Sequence, residues 1–255
     1  MPITVTTEGN SVMVRAHREK NALTGWNWSG HSEMDARYIV RVPANFNTDL
    51  GTSGGSITVN ELTGTTDADT SGGDLKLSRL HGPIHAETSG GHIEIASCEG
   101  AIHIETSGGW IKSNGGNGTL DARSSGGMIA VEDFGGDAKV ETSGGRLDLK
   151  NIRGTLTGET SGGAVSALLP SPMPGDVRLE TSAGAINVTV PANAGLTLDA
   201  EANAGSVTSE LPVTTTRGGR DELKGTINGG GKSLYLRTSA GSISIKSAPI
   251  EAAAM

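Results

Sequence analysis

Aromatic residues make up 3% of this 255-residue chain. So few rings cannot fill the core of an ordinary globular domain, and they leave no stacking series for single-stranded nucleic acid. Basic residues are also short: 20 Lys and Arg stand against 28 Asp and Glu, for a formal charge of −8. With no basic run to offset that balance, nucleic acid is excluded as a partner. A single cysteine, Cys98, excludes an internal disulfide. No apolar stretch is long enough to span a membrane as a helix, and no leader peptide precedes Pro2. Capped segments of helical periodicity are lacking as well, so almost no α-helix is expected.

What the chain has is glycine, 39 residues of it, much of it in one motif. Thr-Ser-Gly-Gly begins at Thr52, Thr70, Thr88, Thr106, Thr142 and Thr160, with Ser-Ser-Gly-Gly at Ser124, so successive copies start 18 residues apart. Thr-Ser-Ala-Gly follows at Thr181 and Thr238. A fixed short period means stacked units, each burying its apolar face on its neighbours. Within the copy from Thr70, Leu75 and Leu77 alternate with Asp74 and Lys76. After Leu80 and Gly82, Ile84 and Ala86 alternate with His85 and Glu87. Period two marks half-buried strands, and the glycines mark corners. Each strand then pairs in parallel with its equivalent one coil on, so equivalent residues form columns about 4.8 Å apart.

The sequence therefore predicts an all-β, single-stranded parallel β-helix of about ten coils, each of 18–21 residues, forming a rod on the order of 50 Å long. A right-handed winding is expected, because the aliphatic residue every sixth position that marks the left-handed helix is missing. Residues 1–45 lack the motif and are expected to form an N-terminal cap, with strands at Ile3–Arg15 and Tyr38–Val42 around a loop holding Trp26 and Trp28. Residues 46–255 are expected to form the β-helix, with degenerate C-terminal coils. Within them, the proline-rich stretch Leu168–Asp176 reads as a surface loop and Arg217–Lys232 as a turn or protruding hairpin. Ser242–Lys246 is expected to close the far end.

Outward columns are the natural place for chemistry. One reads Asp67, His85, His103, Asp121, Lys139, and the slot two residues on reads Asp69, Glu87, Glu105, Arg123, Glu141. His85 and His103 should sit one above the other, flanked by Asp67 and Asp121, with Glu87 and Glu105 alongside. That set could hold a divalent metal, and the competing reading is a solvated charged face. A further column places Trp110 beside Met128, a candidate contact for a glycan or protein partner. The Thr ladder could suit ice binding, but strand parity turns it inward, where its hydroxyl caps the adjacent glycine backbone. Cys98 fills a slot held elsewhere by Leu80, Phe134 and Ile152, which reads as a buried apolar thiol. The nonapeptide calcium repeat is excluded, since the residues after Gly-Gly lack its Asp ligands. Catalytic residues and cofactors are not expected. A polysaccharide-acting enzyme would need groove-walling loops that the unvarying period leaves out.

The segments TSGGDLKL (70–77), AETSGGHIEI (86–95), RVPANFNTDLGTSGGSITV (41–59) and GTINGGGKSLYLRTSAGSISI (225–245) resemble the DUF4097 family of bacterial envelope proteins. An adhesin role is ascribed to that family by inference. The resemblance covers about residues 38–246. It implies a right-handed β-helix, usually exported or membrane-tethered, and brings no catalytic residue with it. The chain is read as a non-enzymatic solenoid displaying polar columns in the periplasm or at the cell surface, with an envelope glycan or surface protein as the expected partner.

Overall fold

A computed structural model describes residues 3–9, 11–16 and 37–248, which divide into two compact units at Arg41/Val42. The first unit contains one antiparallel hairpin. Strand β1 (Ile3–Glu8) pairs with β2 (Ser11–Ala16) through a turn at Gly9. The expected strand Ile3–Arg15 is thus two strands, because Gly9 takes the positive φ that a tight turn demands. Tyr38–Val42 is not a strand. The loop with Trp26 and Trp28 lies outside the described residues.

The second unit is the solenoid. Its coils are two-strand turns: β3 (Thr48–Thr52) with β4 (Ile57–Thr63), β5 (Thr66–Thr70) with β6 (Leu75–His81), β7 (Ile84–Thr88) with β8 (Ile93–Ala96), and β9 (Glu99–Thr106) with β10 (Ile111–Asn114). The series continues with β11 (Asn117–Ser124) and β12 (Ile129–Glu132), β13 (Asp137–Thr142) and β14 (Leu147–Lys150), β15 (Leu156–Thr160) and β16 (Val165–Leu168), and β17 (Val177–Ala183) and β18 (Ile186–Pro191). Each strand pairs in parallel with its equivalent in the next coil. His85 lies opposite His103, for example, and Ile111 opposite Ile129. Eight coils therefore stack in chain order.

Inside, the columns are aliphatic. Leu75, Ile93, Ile111, Ile129 and Leu147 are fully buried, as are Leu77, Ile95, Val131 and Leu149. Cys98 and Phe134 share a buried slot, and burial pushes the Cys98 thiol above its ordinary pKa. That is the inert packing thiol the sequence suggested.

Three corners turn each coil. At the motif corner, the second glycine is forced by crowding: a Cβ on Gly91 would lie 1.8 Å from the Gly73 carbonyl oxygen one coil away. The first glycine has room, since a Cβ on Gly90 would find its nearest atom at 3.7 Å. Thr88 closes the same corner. Its buried hydroxyl donates to the Gly73 carbonyl at 3.0 Å and accepts from the Gly91 amide at 3.2 Å. Every motif copy from Thr70 to Thr160 repeats both bonds. The Thr ladder is internal and offers no ice-binding face. A second corner, at Gly82 and its equivalents, also packs backbone on backbone. The third is held by residues with positive φ that are mostly not glycine: Glu61, Arg79, Ser97, Asp133 and Asn151, with Gly115 in the same slot.

After β18 the chain order breaks. Strands β19 (Leu196–Ala202) and β20 (Val207–Ser209) make the next coil, then β21 (Thr214–Gly218) and β22 (Glu222–Ile227) form an antiparallel hairpin. The last coil, β23 (Lys232–Ala240) and β24 (Ile243–Ala248), inserts between its predecessors. β23 pairs with β17 on one side and β19 on the other, and β24 with β18 and β20. The final strand is thus interior rather than a closing strand. The Arg217–Lys232 hairpin does not protrude: β22 lies antiparallel along β19. Leu168–Asp176 is not wholly a surface loop either, because it buries Leu169 and Met173.

Candidate functional site

Strand alternation sends the residues between the buried columns outward, and the parallel register stacks them. On the face formed by β3, β5, β7, β9 and β11, Asp49, Asp67, His85, His103 and Asp121 stand in one column. Gly51, Asp69, Glu87, Glu105 and Arg123 stand in the neighbouring one. The His85 and His103 rings are stacked, with centroids 5.2 Å apart and planes 6° from parallel. His85 Nε2 lies 3.1 Å from Glu87 Oε1, and His103 Nδ1 lies 3.5 Å from Asp121 Oδ2. One ligand atom each from His85, Glu87 and His103 lies within 4.8 Å of the others, and the same holds for Asp67, Asp69 and His85.

The six residues singled out from sequence therefore separate. His85, Glu87 and His103 converge, and Asp67 meets His85 in a second triplet. Asp121 is instead held by Arg123 at 2.8 Å, and Glu105 belongs to neither convergent triplet. Asp69 joins, which the sequence reading had recorded only as part of a column. Its carboxyl is pushed above the usual carboxylate range by burial, then by the charges of Asp67 and Glu87.

Across the motif corner, a different ladder runs through Ser56, Asp74, His92 and Trp110. Each side chain accepts the backbone N–H of the residue one coil on: Ser56 Oγ from Asp74, Asp74 Oδ1 from His92, and His92 Nδ1 from Trp110 at 3.1 Å. Trp110 is half-buried, stacked on His92 at 4.6 Å. Met128 sulfur accepts from Arg146 Nε at 3.1 Å. Both residues of the expected apolar contact are thus partly engaged within the ladder.

Farther along the rod lies a groove of about 550 Å³, which sequence reasoning did not find. Its floor is the carboxylate column in its later layers, and its rim is the motif serines, from Ser125 and Ser143 to Ser239. In spatial order the column reads Glu105, Arg123, Glu141, Glu159, Glu180, Arg237, Glu201. Arg237 sits between Glu180 and Glu201 because β23 is inserted there, and it pairs with Glu201 at 3.0 Å. Its guanidinium also lies 5.1 Å from the Tyr235 ring, and that of Arg178 lies 4.5 Å from the same ring. Arg123 bridges Asp121 and Glu141, and Lys139 reaches Glu141 at 2.7 Å. The Lys139 hydrogen bond, with Arg123 adding to it, holds the Glu141 carboxyl below its ordinary pKa against the opposing effect of burial. The signal available in the sequence was the serine of each motif, read there only as part of a corner.

A rod of stacked parallel coils with polar columns outside and aliphatic columns inside defines a β-solenoid. The Toastrack DUF4097 family matches residues 117–246, and the chain belongs to that family. The match begins later than the resemblance at 38–246, although the same repeat runs through the earlier coils. Neither the curated proteins nor the solved structures gave a match. Among the described residues, no helix is long and apolar enough to cross a membrane.

Proposed function

We propose that this solenoid is a non-catalytic binding scaffold that receives an extended, repeating ligand along the serine–carboxylate groove. The observation that supports this reading is the groove itself, whose seven layers from Glu105 to Glu201 present five carboxylates, interrupted by Arg123 and Arg237, beside serines from Ser125 to Ser239. Six intervals of about 4.8 Å make it roughly 29 Å long. A linear polymer with hydroxyls at a comparable repeat can use successive layers as related subsites, and weak contacts then sum along its length. Carboxylates accept hydrogen bonds from sugar hydroxyls and attract amino sugars, while serines both donate and accept. The acidic floor repels acidic polymers. The ligand class is therefore a neutral or amino-sugar glycan, and an envelope polysaccharide fits the extracytoplasmic setting proposed for the chain.

The test is an array of neutral, amino and acidic glycans probed with the parent chain and with Ser161→Trp. Ser161 is exposed on the rim of the groove, where an indole would obstruct it. Saturable binding to neutral or amino glycans, lost on Ser161→Trp, is expected. Binding untouched by that change would place the ligand elsewhere, and Trp110→Ala would then ask whether it lies on the His92–Trp110 ladder. Release of new reducing ends from a bound glycan would overturn the non-catalytic reading.

A further inference from the structure

We infer that His85, Glu87 and His103 form a site for a first-row divalent transition ion of the zinc type, independent of the glycan groove. Three observations carry it.

The first is geometry. Tetrahedral zinc with bonds of roughly 2.0–2.1 Å sets its ligand atoms about 3.3 Å apart. His85 Nε2 and Glu87 Oε1 already stand 3.1 Å apart. The third ligand atom, from His103, lies within 4.8 Å of both. His103 is part-exposed, so a modest χ rotation closes the gap. A water would complete the sphere, as at zinc sites with three protein ligands.

The second is rigidity. His85 and His103 are direct partners in the parallel ladder, and Ile84, Ala86, Ile102 and Ile104 on either side of them are buried. The backbone spacing of the two imidazoles is therefore fixed by the core. A site carried on strands in this way starts with little ordering left to do.

The third is charge. In the first four layers these two columns hold Asp49, Asp67, Asp69, Glu87 and Glu105, and no Lys or Arg. In later layers Arg123, Lys139, Arg178 and Arg237 interrupt the same columns. A divalent cation supplies the positive charge that arginine and lysine supply elsewhere on this face. Two imidazoles and a carboxylate favour zinc, nickel or copper over calcium and magnesium, whose ligands are oxygens.

The experiment is calorimetric titration of zinc into the metal-free full chain, with visible absorption of added cobalt(II) as a second readout of coordination. Saturable binding of one ion is expected, together with a tetrahedral cobalt spectrum. Both should be lost in the His85→Ala/His103→Ala double variant and weakened in Glu87→Gln. His81→Ala, which removes an exposed imidazole paired to Glu99 on another side of the coil, should leave both unchanged. Since His85 and His103 are surface side chains, the metal-free melting temperature of the double variant should stay within a few degrees of the parent. Failure of the parent to bind zinc saturably would overturn the inference, and so would zinc binding or a cobalt spectrum that survives the double substitution. Glycan binding should not depend on zinc, so loss of one activity does not imply loss of the other.

Discussion

Gly90 and Gly91 are neighbours in the same motif, yet only one of them has to be glycine. A Cβ on Gly91 meets the Gly73 carbonyl oxygen at 1.8 Å, an overlap that only backbone movement can relieve. Gly91→Ala should destabilise the fold by at least ~2 kcal/mol. Gly90→Ala should stay within ~0.5 kcal/mol. The chain itself carries Ala183, Ala204 and Ala240 at the tolerant slot. Denaturant melts of the two variants measure the difference, and equal losses would contradict the crowding argument. Thr106 offers a second test. Its buried hydroxyl serves the Gly91 carbonyl and the Gly109 amide, so Thr106→Val leaves both unsatisfied and should cost about 1–3 kcal/mol. Thr106→Ser should recover most of that loss, since Ser124 makes the same two bonds in its own coil. Glu141 sets a pH dependence. Its folded-state pKa is depressed by Lys139 and Arg123, with Asp121 beside them, so its contribution is present above the unfolded pKa and lost as pH falls through the folded one. Glu141→Gln should flatten the acid side of the melting-temperature profile, and by a small amount because the groups are partly exposed. The double glycine and the buried Thr were readable in the sequence because one residue type recurs in each slot. The third corner was not, because Glu61, Arg79, Ser97, Asp133 and Asn151 share a positive φ and no chemistry.

At the scale of elements, the period of 18 was enough to place the strands, their register and the inward columns from Thr52 to Thr160. Coil order at the C-terminal end was not readable. The copies at Thr181 and Thr238 carry the same Thr-Ser-Ala-Gly, and a repeat that stacks on any equivalent copy does not declare its neighbour. The observed order adds edge cover and places a cation in a column where Glu141, Glu159 and Glu180 otherwise stack directly. Stacking β19 directly on β17 would set Glu201 against Glu180, whereas the inserted β23 separates them with Arg237. The outward edge of β19 is then covered by β22. This order has a hydrogen-exchange signature. Amides of Leu234–Arg237 and Ile243–Ile245 should be protected as strongly as those of the middle coils, while exposed β21 exchanges quickly. Rapid exchange at Leu234–Arg237 would contradict the insertion.

For the whole molecule, the sequence disclosed a rod with polar columns but not which stretch of them makes a site. The His and acidic residues of the first layers were visible as columns, because His85 and His103 occupy one slot in consecutive repeats. Which members converge depended on side-chain pairing: Arg123 draws Asp121 away, and Asp69 enters instead. The groove escaped notice because it is built from the motif itself, and because its last layers come from coils stacked out of chain order. Its length makes the account testable at this scale. A ligand bound by successive layers gains affinity with each added unit until the roughly 29 Å of groove is filled, and then gains no more. A pocket for one sugar shows no such dependence.

The most direct measurement is therefore calorimetric binding of a length series of one neutral or amino-sugar oligomer to the parent chain. The account predicts affinity that rises stepwise with length and levels off once the oligomer spans from Glu105 to Glu201, with Ser161→Trp cutting the gain to that of the shorter oligomers. Affinity independent of length, or no saturable binding at any length, would contradict it.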